Sequence, residues 1–217
     1  MKYRVLVLLL CSVFVGTVHA QDLPEVLIIG DSISIGYTPA VAAELEGKAV
    51  VRHNPGNAQD SGTGLKKLDR WIGTEQWDVI HFNWGLWDLC YRHPQSKVQG
   101  NRDKVNGTLT TSVEQYEQNL DEIVSRLKKT NAKLIWAHTT TVPEGEAGRK
   151  VGDDTIYNEA AERVMIKHGI AVNDLNQVSD SFAAGLFVAP GNVHFTAEGS
   201  KKLAAAVSNA ISNALQE

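Results

Sequence analysis

Ser32 directly follows a short apolar segment, in the tripeptide Gly30-Asp31-Ser32. A serine at such a strand-to-helix turn has free backbone N–H groups nearby, and its hydroxyl faces the sheet edge where ligands bind. The hydroxyl suits nucleophilic attack on a carbonyl carbon, and the N–H groups suit stabilisation of the resulting oxyanion. A serine in a turn is also a common helix cap, so the tripeptide alone leaves both roles open.

His194 is the base that such a nucleophile would need. It lies in the segment Asn192–Thr196 (NVHFT), between the last predicted strand and the final helix. A lone loop histidine is commonly a solvated or packed side chain. The interpretation therefore depends on the pair, because Ser32 and His194 are both expected on the same rim of the sheet.

Alternating strand and helix signals must position these two residues. Five short apolar runs are typical of buried strands: Glu25–Gly30, Ala49–Arg52, Trp77–Asn83, Lys133–His138 and Ala171–Leu175. Thr38 and Pro39 predict the start of the first helix, Ser112 and Gln115 a capping box before a later one, and Thr196 the approximate start of the last. Strands separated by helices predict one doubly wound α/β domain, a five-stranded parallel sheet with helices on both faces.

Two long segments follow strands of this sheet at their carboxyl ends. They are Leu86–Thr111 and Thr139–Asp153. The carboxyl-end loops form the ligand crevice in such folds, and structureless segments of this length are usually functional. We therefore expect both segments to line the site.

Three short segments together resemble the SGNH (GDSL-type) hydrolases, a family of esterases and lipases. They are Gly30–Ile33 (GDSI) after the first strand, Gly85–Asp88 (GLWD) after the third, and Val193–Thr196 (VHFT) before the last helix. The resemblance extends from Val26 to the final helix. It implies a flavodoxin-like fold and a carboxylic ester hydrolase with a serine nucleophile.

The resemblance also implies roles for individual residues. Ser32 would be the nucleophile, His194 the general base, and the Ser32 backbone N–H one donor of the oxyanion hole. The family's second segment supplies another donor from a glycine N–H, and here Gly56 and Gly62 both fit that role.

The family's third segment carries an asparagine whose amide belongs to the oxyanion hole, but this chain has Trp87 at that position. The indole N–H of Trp87 is a donor that could replace the amide, and Asn83 offers another. Alternatively, Trp87 only forms a wall of the pocket.

The third member of a catalytic triad is missing from its usual place. Members of the family commonly have Asp three residues before the histidine, where this chain has Gly191. Asn192 can orient the imidazole but carries no charge, and in a well-studied triad the change from Asp to Asn costs about 10⁴ in kcat. Asp31 and Asp88 are expected to accept loop N–H bonds rather than to act as bases.

The Tyr91–Thr111 stretch is basic and polar, which makes it a poor slot for an acyl chain. It contains four basic residues and one acidic residue: Arg92, Lys97, Arg102, Lys104 and Asp103. Beside Trp84 and Trp87, such a loop suits a sugar, including one that bears carboxylates. A solvated loop whose charge aids solubility is the alternative interpretation.

Composition excludes several classes of protein. The 217 residues are 43% hydrophobic and 21% charged, as in ordinary globular domains. A formal net charge of −4 argues against nucleic acid as a partner, because phosphate binding needs clustered Lys and Arg. The histidines lack metal-ligand spacing, and no P-loop or dinucleotide fingerprint is present. We therefore expect no cofactor and no metal.

Residues 1–20 are typical of a secretory signal peptide, followed by one SGNH hydrolase-like domain over residues 21–217. A basic start precedes the apolar run Val5–Val15, and Val18–Ala20 is a small-residue cleavage pattern. A retained membrane anchor is the alternative, although the run is short for a span. Cleavage after Ala20 predicts a secreted or periplasmic protein with no membrane span in the mature chain.

Together these observations predict an exported serine esterase that removes small, acetyl-type acyl groups, from carbohydrate, through a Ser–His acyl-enzyme. Its expected partner is a small-molecule or glycan ester, and the sequence carries no signal of oligomeric state. The alternatives are a weakly active or inactive carbohydrate-binding protein on the same scaffold, and a lysophospholipase or thioesterase.

Overall fold

The computed structural model describes residues 23–216. The signal peptide predicted over residues 1–20 lies outside the described residues. Seven strands follow one another along the chain: β1 (Glu25–Ile29), β2 (Val50–His53), β3 (Val79–Phe82), β4 (Tyr91–Arg92), β5 (Thr108–Leu109), β6 (Lys133–Ala137) and β7 (Ala171–Asn173). Six α-helices complete the described part: α1 (Ser32–Glu44), α2 (Ser61–Ile72), α3 (Val113–Leu127), α4 (Asp153–His168), α5 (Leu175–Asp180) and α6 (Ala197–Gln216).

The predicted five-stranded parallel sheet is confirmed. Its strands lie in the order β2-β1-β3-β6-β7, and every neighbouring pair is parallel. This is the strand order of flavodoxin-like domains, whose ligands bind at the carboxyl ends of the strands. Helices α1 and α6 pack on each other, and α3 packs against both α2 and α4, which gives the helical layers of an α/β domain.

The central strands are buried on both faces, as their unbroken apolar sequences predicted. Val26, Ile28 and Ile29 of β1 are completely inaccessible to solvent, and every residue of β3 is buried. The segments that follow these strands therefore start from fixed positions.

Helix α1 begins at Ser32, so the predicted start at Thr38 and Pro39 is wrong. The Asp31 carboxylate caps the helix by accepting the Ile33 N–H at 2.9 Å. Thr38 lies within the helix and donates its hydroxyl to the Ser34 carbonyl at 2.6 Å. Burial of the Ile33 side of the helix favours the earlier start, although Pro39 then lies inside the helix.

The predicted cap of α3 forms on one side only. The Ser112 hydroxyl accepts the Gln115 N–H at 3.2 Å, as in a capping box. The Gln115 side chain does not return to Ser112, because its amide donates to Asn119 Oδ1 at 2.9 Å.

The two long segments after β3 and β6 are partly ordered and bonded to each other. Within the first, β4 and β5 form an antiparallel ribbon, so the expectation of a structureless loop is only partly right. The Tyr91 N–H donates to the Gly148 carbonyl at 2.7 Å, and the Lys104 N–H donates to the Ala147 carbonyl at 2.8 Å. These bonds join both segments into one wall over the sheet edge.

Within residues 23–216, no helix combines the length and the apolar character that a bilayer span requires.

Candidate active site

Ser32 is the first residue of α1, immediately beyond the carboxyl end of β1. The Asp31 carboxylate takes the Ile33 N–H, whereas the Ser32 N–H makes no hydrogen bond within the described chain. Asp31 is only 4% exposed, and burial raises the pKa of its carboxyl, against the opposing effects of the Ile33 N–H and the Arg149 charge. Asp31 therefore holds the turn, as the sequence indicated, and leaves one backbone donor beside the Ser32 hydroxyl.

His194 reaches Ser32 from the loop that precedes α6. Its Nε2 lies 2.9 Å from Ser32 Oγ, across 162 residues of sequence. The neighbouring Val193 and Phe195 are buried, and the His194 carbonyl accepts the Val188 N–H at 2.9 Å. Anchored on both sides in this way, the imidazole is fixed next to the hydroxyl, so the pair predicted from sequence is brought together.

Asn192 orients the imidazole and determines its tautomer. Asn192 Oδ1 lies 2.9 Å from the His194 backbone nitrogen and 2.8 Å from His194 Nδ1. Because a backbone N–H can only donate, the atom facing it must be the amide oxygen. His194 Nδ1 must then carry the proton, which leaves Nε2 free to accept one from Ser32.

Gly191 has no room for the aspartate that the family commonly places there. Its φ is +69°, and a Cβ atom would lie 2.6 Å from the Gly145 carbonyl oxygen. In the part of the chain that the structure describes, no carboxylate contacts the His194 ring. Burial lowers the pKa of His194, and the charges of Arg149 and Arg102 lower it further, with Glu146 acting in the opposite direction.

Asp88 has the structural position that the sequence suggested. It is fully buried, and its carboxylate accepts the Ser61 N–H at 2.9 Å and the Ser61 hydroxyl at 2.6 Å. Burial raises the pKa of Asp88 to about 7. The residue joins the start of α2 to the turn after β3 and does not face the Ser32 hydroxyl.

Ser32 and His194 open into a cavity of about 200 Å³. Among its described lining residues are Asp31, Asn57, Leu86, Trp87, Arg92, Gln99, Gly100, Arg102, Arg149 and Val193. The volume is below that of sites for drug-sized ligands and suits a small acyl group. Trp84, which the sequence placed beside a sugar, is instead buried in the core, stacked on Trp71 with ring centroids 6.5 Å apart.

Some of the residues predicted for the oxyanion hole line this cavity, and others do not. Trp87 lines it, and its indole N–H makes no hydrogen bond to the described residues. Neither Gly56 nor Gly62 is among the described lining residues, and Asn57, beside Gly56, takes that place. Asn83 is committed elsewhere, because its amide donates to the Ala137 carbonyl at 2.7 Å.

Asn57 was not singled out from the sequence. Its Oδ1 accepts the Gln59 N–H at 2.8 Å, which fixes the side-chain amide at the cavity wall. Gln59 itself has φ +56°, a conformation more usual for glycine. Because position 59 is not a glycine, the sequence carries no signal for this positive φ, and the turn could not be predicted.

Arg149 and Glu146 were also missed, although their segment was expected to line the site. Glu146 is fully buried, and its Oε1 bonds Arg149 at 2.9 Å and Arg102 at 3.0 Å. The guanidinium carbon of Arg92 lies 4.3 Å from the centroid of the Trp87 ring. Three guanidinium groups thus surround the cavity beside the Ser32 hydroxyl.

Metal-binding side chains are not clustered there. Across residues 23–216, no three His, Cys, Asp or Glu side chains are grouped so that they could hold a metal ion.

Comparisons with known proteins identify a family and support the fold. The model of the GDSL-like Lipase/Acylhydrolase family matches residues 28–202. An acetyl xylan esterase, AlAXEase, is similar with a TM-score of 0.66 and 16% identity, over 86% of this chain and 99% of that chain. A lipase/acylhydrolase from Enterococcus faecalis has a TM-score of 0.70 and 18% identity, over 87% of this chain and 95% of its own.

A GDSL-like lipase from Bacteroides thetaiotaomicron has a TM-score of 0.63 and 14% identity, over 88% of each chain. At these identities the solved structures support the fold. A comparison with curated proteins found no match.

Proposed function

The chain belongs to the GDSL-like lipase/acylhydrolase family and is a carboxylic ester hydrolase; from that premise we propose that Ser32 and His194 cleave small acyl esters of carbohydrate through an acyl-enzyme. The observation that carries the proposal is the chain of contacts from Ser32 Oγ to His194 Nε2 and from His194 Nδ1 to Asn192. It supplies a nucleophile, a base in the required tautomer and a group that orients the base.

Acylation begins when His194 Nε2 takes the Ser32 proton as Oγ attacks the ester carbonyl carbon. The carbonyl oxygen becomes an oxyanion, and the Ser32 N–H, the Trp87 indole N–H and the Asn57 amide are the donors that we assign to it. The tetrahedral intermediate collapses as the C–O bond to the alcohol breaks, and the imidazolium returns its proton to the departing oxygen.

Deacylation repeats these steps with water as the nucleophile. His194 removes a proton from water, the hydroxide adds to the acyl carbon, and Ser32 Oγ leaves with the proton from the imidazolium. The products are the free sugar hydroxyl, the carboxylic acid and the regenerated enzyme.

The cavity supports a small acyl group. Its volume is about 200 Å³, and among its described lining residues Leu86, Val193 and the Trp87 ring provide the large apolar surface. A long acyl chain would need a continuous apolar slot, so these walls argue against a lysophospholipase or a long-chain thioesterase.

A carbohydrate substrate is supported by the polar lining and by one similar structure. The lining contains Asn57, Gln99 and three arginines, which offer many donors for sugar oxygens. The acetyl xylan esterase AlAXEase has the same fold. Export agrees with such a substrate: cleavage after Ala20 would bring a secreted or periplasmic esterase to extracellular glycans, and its mature chain would begin at Gln21.

Acetate release from O-acetylated methyl glycosides tests the proposal. We expect turnover by the wild type, a loss of about 10⁴-fold or more in Ser32→Ala, and slow cleavage of the matching decanoyl esters. Ser34→Ala is a matched control, because Ser34 Oγ forms a second Ser–His pair with His53 Nε2 at 2.7 Å but is buried. Equal turnover by wild type and Ser32→Ala would contradict the mechanism.

A second candidate function follows from the uncharged partner of His194. With Asn192 in place of a carboxylate, the scaffold could bind a carbohydrate ester and turn it over weakly or not at all. This alternative expects binding of the acetylated glycosides without acetate release.

A further inference from the structure

We propose that the guanidinium groups of Arg92, Arg102 and Arg149 form a binding site for an anionic group of the substrate, next to the Ser32 hydroxyl. The preferred substrates would be esters of sugars that carry a carboxylate or a sulfate. The inference rests on the proposed function of Ser32 and His194, because it specifies which esters reach that pair.

The cavity wall carries more positive than negative charge. Glu146 bonds Arg102 and Arg149 with one carboxylate oxygen and the Gly148 N–H with the other. Arg92 forms no ion pair within the described residues. With Asp31, which also lines the cavity and is influenced by the Arg149 charge, two carboxyl groups face three guanidinium groups. A ligand with a negative charge would balance the remaining positive charge.

These arginines are enclosed rather than solvated, which separates the cluster from an ordinary basic surface. The side chains of Arg149 and Arg102 are 5% and 16% exposed. Burial lowers the pKa of the Arg92 guanidinium, and the charges of Arg149 and Arg102 lower it further. Three partly desolvated like charges repel one another, and Glu146 bonds only two of them, so a bound anion would reduce the repulsion that remains.

Several donors of the cluster have no partner in the described chain. Arg149 uses Nε for the Leu86 carbonyl at 2.6 Å and Nη1 for Glu146, and its Nη2 makes no described bond. Arg102 Nε is buried without any acceptor among the described residues. Of these two donors, Arg149 Nη2 is the one that we assign to the ligand, because Arg149 lines the cavity and a carboxylate or sulfate oxygen there would accept its hydrogen bond.

The cluster is also held in place before any ligand binds. Arg92 donates Nη1 to the Gly100 carbonyl while its guanidinium lies over the Trp87 ring. Stacking and hydrogen bonding fix the planar group, so little rotamer entropy remains to be lost on binding.

The same guanidinium groups lie within electrostatic reach of the base. Arg149 and Arg102 are the charges that disfavour the protonated form of His194. A bound anion would offset them, close to the ring that lacks an aspartate partner. Binding of an anion would therefore also affect proton transfer at His194, because both depend on the charges of Arg149 and Arg102.

Direct binding tests the site separately from turnover. We would titrate Ser32→Ala with glucuronate, glucose and glucose 6-sulfate by calorimetry, with thermal unfolding of each variant as the folding check. We expect glucuronate to bind about 10- to 100-fold more tightly than glucose and to lose that advantage with Arg92→Gln or Arg102→Gln. The affinity for glucose 6-sulfate, compared with that for glucuronate, shows whether the site prefers a sulfate or a carboxylate.

Lys97→Gln is the matched control, because exposed Lys97 lies on the same segment and outside the cavity lining. It removes the same charge and should leave the glucuronate affinity unchanged. Equal affinity for glucuronate and glucose, or equal losses in Lys97→Gln and Arg92→Gln, would overturn the inference.

A kinetic arm separates this inference from the proposed function. For the wild type we expect kcat/KM to be about tenfold or more higher for O-acetyl glucuronate than for O-acetyl glucose. Equal rates on both esters would refute the anion site and leave the esterase intact. Anion binding without hydrolysis of either ester would support the anion site and refute the esterase.

Discussion

Asn192 gives His194 the correct orientation without the charge that usually accompanies it. Its amide oxygen contacts both the backbone N–H and Nδ1 of His194, so an aspartate at this position would place a carboxylate within 2.8 Å of the ring. A carboxylate there would stabilise the imidazolium that forms during attack. Asn192, rather than Gly191, is therefore the position where the triad can be completed.

We predict that Asn192→Asp raises kcat by about tenfold, which is less than the factor of about 10⁴ between Asp and Asn in a full triad, because Asn192 already holds His194 in the active tautomer. The new charge also raises the pKa of His194, and because the base must be deprotonated, the acidic limb of the kcat/KM profile moves to higher pH. The pH profile of acetate release measures both effects. Asn213→Asp on the exposed side of α6 adds the same charge as a control, and a kcat in Asn192→Asp at or below wild type would contradict the account.

Trp87 is the second residue whose role a single substitution can decide. Trp87→Phe keeps an aromatic wall and the surface beneath Arg92 but removes the indole N–H. If that N–H donates to the oxyanion, kcat should fall about 10²-fold with little change in KM, because the bond forms only in the transition state. An unchanged kcat would restrict Trp87 to a wall of the cavity.

At the scale of elements, Asp88 links the start of α2 to the turn after β3. Its carboxylate accepts the backbone and hydroxyl groups of Ser61, and burial raises its pKa from 3.8 to about 7. The folded state therefore binds this proton more tightly than the unfolded state between about pH 4 and pH 7. In that window the contribution of Asp88 to stability is present at low pH and is lost as the pH rises.

We predict that Asp88→Asn gains stability relative to the wild type as the pH rises from about 4 to 7, because the variant has no proton to lose. Urea unfolding of both proteins across this range measures the difference, in which the contributions of the other titrating groups cancel. A difference that is constant with pH would show that Asp88 titrates normally.

Strands and helices with a clear hydrophobic pattern could be predicted from the sequence. The residues at which they begin and end were harder to predict. The strands β1 and β3 follow from unbroken apolar runs, and α3 follows from its apolar face and its Ser112 cap. Thr38 and Pro39 predicted the start of α1, whereas Asp31 caps the helix in the structure, and this choice depends on packing that local signals do not contain. The strand-to-helix turn at Ser32 was therefore predicted correctly, whereas the predicted start of α1 lies too far along the chain.

At the scale of the whole molecule, the site residues that could be predicted are those that the parallel sheet places at its carboxyl edge. Ser32 and His194 follow elements whose direction is fixed by the fold, so their meeting was foreseeable. The contacts of Glu146 with Arg102, and of Gly145 with Gly191, join loops far apart in sequence. Such contacts, like that of Arg149 with the Leu86 carbonyl, leave no periodic pattern, which explains why Glu146 and Arg149 were not predicted as site residues.

In the mechanism that we propose, the fold activates Ser32 despite the uncharged partner of His194. Intact-mass analysis after treatment with a serine-directed fluorophosphonate tests it most directly, since only an activated hydroxyl displaces the leaving group from phosphorus. We predict one adduct per chain in the wild type and in Ser34→Ala, and none in Ser32→Ala. Folded wild-type protein without an adduct, or an adduct that persists in Ser32→Ala, would contradict the account.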